Sequence, residues 1–330
     1  MTIRSPKIIP GEFSLAALST KYEADKEGTY VLHCAVNSEN EHAVALSNNL
    51  IKVQGKNVLN LTGHQKTITG LKFSSGSPNL LLSSSLDGNV NAWDIRDQNG
   101  LVLTFTENSD GDLKPFSSFD FNSDERILCG GTELVREDAF LIFWDVRSTK
   151  CLGGYWNSHT DDITQVCFHP FHTSSMATAS LDGLINVFNL EEQCEDDALL
   201  YTSNAETSIS RLCWITDHLS CTTTTEEYQL WSENEASPSF SVCKDDFSSQ
   251  TKCKTDYFID TFNIGETNYL ATGTNEGTVN IWQNVGSGVK PFLTLANGHT
   301  DVVRTIAYSH KGHCVITGGE DSVVCHWRLP

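Results

Sequence analysis

A histidine, a hydroxyl residue and an acid recur at nearly fixed spacing three times along this sequence of 330 residues. The three sets are His64–Ser83–Asp87, His159–Thr178–Asp182 and His299–Thr317–Asp321. A hydroxyl nucleophile, a histidine base and an orienting carboxylate are the parts of a hydrolytic triad. A hydrolase needs one such site with an exposed nucleophile and an oxyanion hole, whereas this trio returns in separate units. We therefore expect the three sets to have a structural role. We expect the protein not to be an enzyme and to have no catalytic residue.

Histidine pairs and cysteines are the other residues here that are able to bind metal or do redox chemistry. His169 and His172 share one turn, and His310 and His313 share another, but neither pair has a third ligand nearby in the sequence. The 11 cysteines are scattered and form no Cys-x-x-Cys pair. The chain also lacks a G-x-G-x-x-G motif and a P-loop. We therefore expect no metal site and no cofactor.

The elements that must position these residues are short β-strands. Runs such as NVNAWDIR (89–96) and TVNIWQ (278–283) alternate in polarity between turn residues, and no long segment keeps a 3.6-residue apolar period. Steps of 40, 51, 44, 43, 51 and 45 residues separate the aromatic or apolar position of the third strand in successive units. These positions are Val53, Trp93, Trp144, Phe188, Trp231, Trp282 and Trp327. Seven such units match the four-stranded blade of a β-propeller, about 40–45 residues long.

Two dipeptides make the repeat recognisable. Gly63-His64 and Gly298-His299, with Ser158-His159 as a variant, begin units, and Trp93-Asp94 and Trp144-Asp145 lie in the third strands of their units. This periodic set resembles WD40 repeats over essentially the whole chain, which implies a single seven-bladed all-β propeller. Three stretches further resemble the WD repeat-containing protein 89 family: residues 131–147, 158–170 and 191–200.

The units divide the chain into one domain of seven blades. Their expected boundaries are about 29–62, 63–108, 112–157, 158–206, 207–246, 255–298 and 299–330. The last unit supplies three strands before residue 330, and the strand-like segment 13–20 has no other partner. We expect that segment, within an N-terminal closing strand at residues 1–22, to complete the seventh blade.

The resemblance to WD repeats implies a role for the recurring polar residues. In that family a chain of hydrogen bonds runs from Trp to Ser or Thr, to His and to Asp, and stiffens each blade. His64–Ser83–Asp87–Trp93 and His299–Thr317–Asp321–Trp327 match it completely, whereas Phe188 shortens the set of His159, Thr178 and Asp182. In the sixth unit Thr272, Glu276 and Trp282 keep the spacing, with Glu in place of Asp and no histidine upstream.

The charge of the chain favours basic protein partners. Asp and Glu outnumber Lys and Arg by 42 to 22, a formal net charge of −20, which repels nucleic-acid phosphate. Acids concentrate in the insertion at 133–140 and after His159, and the expected interaction residues are Glu137, Asp138, Asp161 and Asp162. Glu133, Glu195, Asp196 and Asp197 extend this acidic zone. A basic client such as a ribosomal protein or a histone is one interpretation; independent solvated loops that only maintain solubility are the other.

Arg96 and Arg147 are a second pair of candidate interaction residues. Each follows Trp-Asp-x in consecutive units, and this resembles the paired motif of substrate receptors for cullin-4 ubiquitin ligases, whose arginines contact the adaptor. Arginine suits an interface because its planar guanidinium makes bidentate contacts. The alternative is that these arginines belong to the repeat alone, since WD repeats without a ligase link carry them too.

The remaining features concern compartment and assembly. No apolar run approaches the length of about 18 residues that a membrane helix needs, and MTIRSPKIIPGEF has no apolar core of a signal peptide. We expect a cytoplasmic or nuclear protein, monomeric by itself, with reduced cysteines. Its expected role is a non-enzymatic scaffold that binds proteins or peptides, with no direct contact to nucleic acid or membrane.

Overall fold

The computed structural model describes residues 8–330 except 27, 57, 98, 99, 193, 234 and 252. Two short strands open the described chain, β1 (Ser14–Leu15) and β2 (Ala17–Glu23). Blade 1 follows with β3 (Val31–Val36), β4 (His42–Leu46), β5 (Ile51–Gln54) and β6 (Val58–Leu61). Blade 2 consists of β7 (Ile68–Phe73), β8 (Leu80–Ser85), β9 (Asn89–Asp94) and β10 (Leu101–Thr106). Each blade is an antiparallel sheet whose first strand is innermost.

The next three blades repeat this arrangement. Blade 3 consists of β11 (Phe116–Phe121), β12 (Ile127–Thr132), β13 (Leu141–Asp145) and β14 (Lys150–Tyr155). Blade 4 consists of β15 (Ile163–Phe168), β16 (Ser175–Ser180), β17 (Leu184–Asn189) and, after the short helix α1 (Glu195–Ala198), β18 (Leu199–Asn204). Blade 5 consists of β19 (Ile209–Ile215), β20 (His218–Thr223), β21 (Glu227–Trp231) and β22 (Phe240–Cys243), followed by α2 (Lys244–Gln250).

The last two blades incorporate the strands at the start of the chain. Blade 6 consists of β23 (Tyr257–Ile264), β24 (Thr267–Gly273), β25 (Val279–Asn284) and β26 (Val289–Leu295), with β1 added outside β26. Blade 7 consists of β27 (Val303–Ser309), β28 (Cys314–Gly319) and β29 (Val323–Arg328), with β2 outside β29. Innermost strands of successive blades are in contact, and β27 also contacts β3, so the sheets close a ring. The seven-bladed all-β propeller predicted from the repeat is confirmed.

The N-terminal segment is divided between two blades. Its β2 strand pairs antiparallel with β29, with Leu18 opposite Trp327 and Tyr22 opposite Val324. Its β1 strand instead pairs parallel with β26 in blade 6, next to Phe13, whose ring lies 4.8 Å from the ring of Trp282. The predicted segment 13–20 therefore overlaps both strands, and the strand in blade 7 continues to Glu23.

Apolar side chains fill the interfaces between blades. Seven buried clusters alternate around the ring, one at each contact between neighbouring blades. The largest fully buried side chains include five tryptophans: Trp93, Trp144, Trp231, Trp282 and Trp327. Truncating one such tryptophan to alanine typically costs about 3–5 kcal/mol of stability. The recurring aromatic therefore stabilises the contact between blades, which explains its period of one blade.

Two faces of the ring carry the connecting loops. The upper face is the one at which the innermost strand of each blade begins, for example at Ile68, Ile163 and Val303. The lower face is defined by the ends of the third strands, such as Asp94 and Asp145. Tight turns on the upper face place a residue at positive φ directly after the repeated acid. Glycine occupies this position in three blades, and Ser322 occupies it in blade 7 with φ 62°.

Candidate functional site

The best-formed polar network lies in blade 2 and joins three strands to the upper loop. Trp93 Nε1 donates to Ser83 Oγ (2.8 Å), and Ser83 Oγ lies 2.8 Å from His64 Nε2. His64 Nδ1 lies 2.9 Å from Asp87 Oδ2, which also accepts the Gln65 amide. A neutral histidine with its proton on Nδ1 satisfies every contact, since the serine hydroxyl then donates to Nε2.

The electrostatics of this network keep the acid ionised. Burial works to raise the pKa of Asp87, but hydrogen bonds from His64 and from the Gln65 and Asn89 amides outweigh it and lower the pKa. The hydroxyl of Ser83 is completely buried and is already bonded to the indole of Trp93. A substrate therefore has no access to this hydroxyl, and the geometry is that of a structural network.

Blades 4 and 7 repeat the same network. His299 connects Thr317 Oγ1 (2.8 Å) with Asp321 Oδ1 (3.1 Å), and Trp327 Nε1 donates to Thr317. In blade 4, His159 connects Thr178 Oγ1 (2.8 Å) with Asp182 Oδ2 (3.0 Å). Phe188 occupies the tryptophan position there and has no N–H to donate. Its ring packs 5.5 Å from that of Tyr155 instead.

Blade 6 keeps half of the network and differs from the sequence-based expectation at Glu276. Trp282 Nε1 donates to Thr272 Oγ1 (3.0 Å), as the spacing predicted. Glu276 lies outside this bond, because no histidine bridges the gap and its exposed carboxylate pairs with Lys254 Nζ at 2.8 Å. Asp256 also pairs with Lys254 and accepts the amide of Asn275, so this blade is tied by an ion-pair group that the repeat does not indicate.

The blades without the repeat pattern use other acceptors for their tryptophans. Trp144 Nε1 donates to the carbonyl of Thr106 in blade 2 (3.3 Å), and Trp231 Nε1 donates to Gln229 Oε1 (3.2 Å). Neither acceptor was predicted from the sequence. Gln229 lies two residues before its tryptophan on the same strand, whereas the acceptors of the repeat pattern are serine or threonine residues on the preceding strand. Every buried indole described so far has thus found an acceptor, as burial requires.

An acidic surface lies on the upper face over blades 3 and 4. Burial raises the pKa of Glu133, and the nearby carboxylate of Asp162 raises it further. Asp162 Oδ1 accepts the amide of Leu134 (2.7 Å), so the insertion of blade 3 is fixed against the loop that enters blade 4. The structure therefore brings together two acids that are 29 positions apart in the sequence.

The other predicted acids differ in their exposure and in their hydrogen bonds. Glu137 and Asp138 are exposed in the insertion, where Val135 and Asp138 form an isolated bridge. Asp161 is half-buried and accepts the Asp162 amide. Glu195 has a structural contact: its carboxylate accepts the amides of Trp156 (3.0 Å) and Asn157 (2.8 Å). It therefore holds helix α1 against the end of blade 3.

Both candidate arginines lie on the lower face, directly after the third strands of blades 2 and 3. Arg96 Nε donates to Asp94 Oδ1 at 2.9 Å, and Arg147 Nε donates to Asp145 Oδ1 at 3.0 Å. These contacts lower the pKa of Asp94, and they lower the pKa of Asp145 to about 2. Each arginine side chain nevertheless remains 69% exposed. The two side chains thus make the same hydrogen bond in neighbouring blades.

The histidine pair at 169 and 172 acquires a neighbour that the sequence did not indicate. Asp217, from the turn between β19 and β20, places a carboxylate oxygen 3.7 Å from His169 Nε2, and His169, His172 and Asp217 form a group of possible metal ligands. The ring of His169 is already fully bonded: Nδ1 accepts the amides of Phe171 and His172, and Nε2 donates to the carbonyl of Thr216. A metal ion would have to displace that carbonyl, so the geometry favours a buried structural histidine.

The central channel contains charged residues that the sequence analysis also missed. Lys72 and Asp120 form an ion pair near its lower end, and Asp120 Oδ2 accepts the amide of Phe168 in the next blade (2.8 Å). Higher in the channel, burial raises the pKa of Asp260 despite the opposing effect of Arg211. Burial, assisted by Arg211, lowers the pKa of His33 to about 3. The wall of the channel is therefore polar and internally neutralised.

Comparisons with known proteins agree with this architecture. The pattern of the "WD domain, G-beta repeat" family matches residues 55–94, 149–189 and 290–328. The chain is 32% identical over 311 residues to the WD repeat-containing protein GTS1 of Arabidopsis thaliana, covering 87% of this chain and 77% of that protein. It is 30% identical over 313 residues to the WD repeat-containing protein 89 homolog of Dictyostelium discoideum, covering 90% and 82%.

A more distant relative is named for an assembly. The GATOR2 complex protein Wdr59 of Drosophila melanogaster is 26% identical over 132 residues, which is 40% of this chain and 13% of that protein. Within the described part of the chain, neither helix is long and apolar enough to cross a membrane.

Proposed function

Because the chain belongs to the WD-repeat family of β-propellers, whose members generally act as non-enzymatic scaffolds, we propose that its acidic upper surface binds a basic client protein. The observation that supports this most is the forced proximity of Glu133 and Asp162. A carboxyl group whose pKa is raised by burial and by a neighbouring carboxylate gains when a cation approaches. A ribosomal protein or a histone has the required density of lysine and arginine, and binding would serve its assembly or chaperoning.

The overall charge supports the same class of partner. With a formal net charge of −20, the whole molecule attracts a basic protein from a distance and speeds its encounter. The exposed acids of the insertion then supply the local contacts, while the carboxylates of Asp161 and Asp162 are held in place by hydrogen bonds that they accept from backbone amides. A rigid acidic surface costs little conformational entropy when the client binds.

The test replaces charge and keeps hydrogen-bonding capacity. We expect a variant with four neutral isosteres to lose most of its affinity for purified core histones while its melting temperature stays close to that of the parent. The four substitutions are Glu137→Gln, Asp138→Asn, Asp161→Asn and Asp162→Asn. A matched control neutralises four exposed acids outside blades 3 and 4, Glu12, Glu235, Asp245 and Glu266. Equal binding by both variants would contradict the assignment of the surface, and absence of histone binding by the parent would exclude histones as the client.

A second candidate function is recruitment by the cullin-4 ligase adaptor. It is favoured by the matching conformation and exposure of Arg96 and Arg147 on the lower face of adjacent blades. We expect the adaptor to co-purify with the parent and not with an Arg96→Ala, Arg147→Ala double variant. Arg126→Ala is the matched control, because Arg126 is also an exposed arginine of blade 3 and pairs with Asp124. Equal recovery from all three proteins would end this hypothesis.

A further inference from the structure

The chain itself shows how an extended segment binds to the outer side of this propeller. Along the outermost strand of blade 6, the amide of Ile9 donates to the Val289 carbonyl (2.9 Å) and the amide of Ala16 donates to the Thr294 carbonyl (3.1 Å). Ile8 is buried in the apolar cluster between blades 5 and 6, and Phe13 packs against it. Backbone pairing and the apolar anchors Ile8 and Phe13 therefore hold the segment, which is the mode called strand addition.

A groove also lies beside the outermost strand of blade 3, between blades 3 and 4. It has a volume of about 230 Å³, and most of the side chains that line it are apolar. Its lining residues are Ile127, Phe143, Leu152, Tyr155 and Leu190, together with Gly153 and Gly154. Gly153 lies opposite Phe143 in the sheet, and a Cβ atom at Gly153 would meet open space. The groove thus forms where the outer strand has a glycine and no side chain fills the space.

The surroundings of this groove remain uncovered in the described structure. Among the described residues, β14 is the outermost strand of a four-stranded sheet, and no further strand pairs with it as β1 does with β26. Leu152 and the neighbouring Trp156 are each 54% exposed. Two large exposed apolar side chains beside a groove form a surface of the kind that commonly binds other molecules.

The charges beside the groove select the kind of segment that fits. Leu190 is followed directly by the exposed acids Glu191 and Glu192. Helix α1 adds the exposed acids Asp196 and Asp197, and its Ala198 is buried in the same apolar cluster as Phe143 and Tyr155. Four exposed carboxylates therefore follow the groove residue Leu190 within seven positions of the sequence. An acidic partner would be repelled, whereas lysine or arginine beside the apolar anchors would be attracted.

We propose that the groove between blades 3 and 4 binds an extended segment of a partner protein, in which alternating apolar residues are flanked by lysine or arginine. The apolar residues enter the groove beside Leu152, and the backbone of the segment pairs with the free edge of β14. The basic residues face Glu191, Glu192, Asp196 and Asp197. This site uses none of the four acids whose neutralisation tests the proposed function, so either site can fail without the other.

A random-peptide phage library, selected on the parent protein and followed by synthesis of the enriched peptides, tests the proposal. Affinities are measured by fluorescence anisotropy against the parent, a Leu152→Asp variant and a Val102→Asp variant. Val102 is the matched control because it is 55% exposed on the outer strand of blade 2. We expect peptides with alternating apolar residues and flanking basic residues, whose affinity falls about tenfold or more for Leu152→Asp and stays unchanged for Val102→Asp.

Three outcomes would overturn the proposal. In the first, the selection yields no peptide that binds Leu152→Asp more weakly than the parent. In the second, the peptides that bind at this site are acidic. In the third, the parent is dimeric in solution and Leu152→Asp is monomeric. In the last case a second copy of the chain covers the groove. Circular dichroism verifies that Leu152→Asp is folded, as expected for so exposed a position. The variant with four neutralised acids on the upper surface should bind the selected peptides like the parent, which separates this proposal from the proposed function.

Discussion

Ring closure buries a histidine, and this predicts a defined loss of stability in acid. His42 on β4 is 4% exposed, and its ring lies 4.5 Å from that of His326 on β29. Its Nε2 contacts the hydroxyl of Tyr22 on the closing strand β2. Burial, followed by the neighbouring His326, lowers the pKa of His42 to about 3. The folded protein therefore keeps this ring neutral at pH values where an exposed histidine is charged.

The sign and size of the effect follow from proton linkage. In the unfolded chain the pKa of a histidine is about 6.5, so the unfolded state binds a proton at His42 below that pH while the folded state does not. The stabilisation is complete above about pH 6.5 and is lost as the pH falls toward about 3. Between about pH 8 and about pH 5.5, His42 alone should reduce the free energy of unfolding by about 1.4 kcal/mol.

Urea unfolding, followed by tryptophan fluorescence at both pH values, measures this quantity. The comparison is between the parent and His42→Gln, which keeps a polar group near Tyr22 but cannot titrate. We expect the free energy of unfolding to fall by about 1.4 kcal/mol less in His42→Gln than in the parent. His218→Gln is the control, because His218 is exposed. An identical pH dependence in the parent and His42→Gln would refute the reasoning.

Three further predictions concern the polar networks and the closing segment. Trp93→Phe, which reproduces the phenylalanine found at position 188, should lower the free energy of unfolding by about 1 kcal/mol beyond the loss of packing. His64→Ala should lower it more, because Ser83 and Asp87 both lose a buried partner. Urea unfolding that shows His64→Ala to be as stable as the parent would contradict this. Deleting residues 1–22 should lower the melting temperature of the whole domain, and an unchanged value would sink the role of β2. Because His169 is fully bonded without metal, EDTA should leave the melting temperature unchanged while His169→Ala lowers it; a decrease with EDTA would indicate a bound ion.

The parts of the fold that could be predicted are those encoded by local spacing. His64, Ser83 and Trp93 occupy fixed positions on consecutive strands, so their distances in the sequence determine their meeting in one blade. Within a blade the pairing of neighbouring strands leaves little freedom, and alternation fixes which face a side chain occupies. Glu276 shows the limit of this reasoning, since its spacing is right but the histidine that would bridge it is absent and Lys254 pairs with it instead.

Contacts between blades could not be predicted in the same way. Asp217 meets His169, and Asp120 meets the amide of Phe168, only because the ring places neighbouring blades at a particular distance and angle. The groove beside Leu152 depends on the placement of Leu190 of blade 4 beside the outer strand of blade 3, where Gly153 leaves open space. The segment 13–20 was visible as a strand, but its division between blades 6 and 7 depends on the docking of Phe13 against Trp282.

The most direct test of the central claim is the salt dependence of client binding. Affinity of the parent for purified core histones should weaken about tenfold or more between about 50 mM and about 300 mM NaCl, because exposed charges are screened over a Debye length of about 10 Å near 0.1 M salt. The variant neutralised at Glu137, Asp138, Asp161 and Asp162 should bind more weakly and with a smaller salt dependence. An affinity that is the same at both salt concentrations would contradict an acidic surface as the site that binds the client.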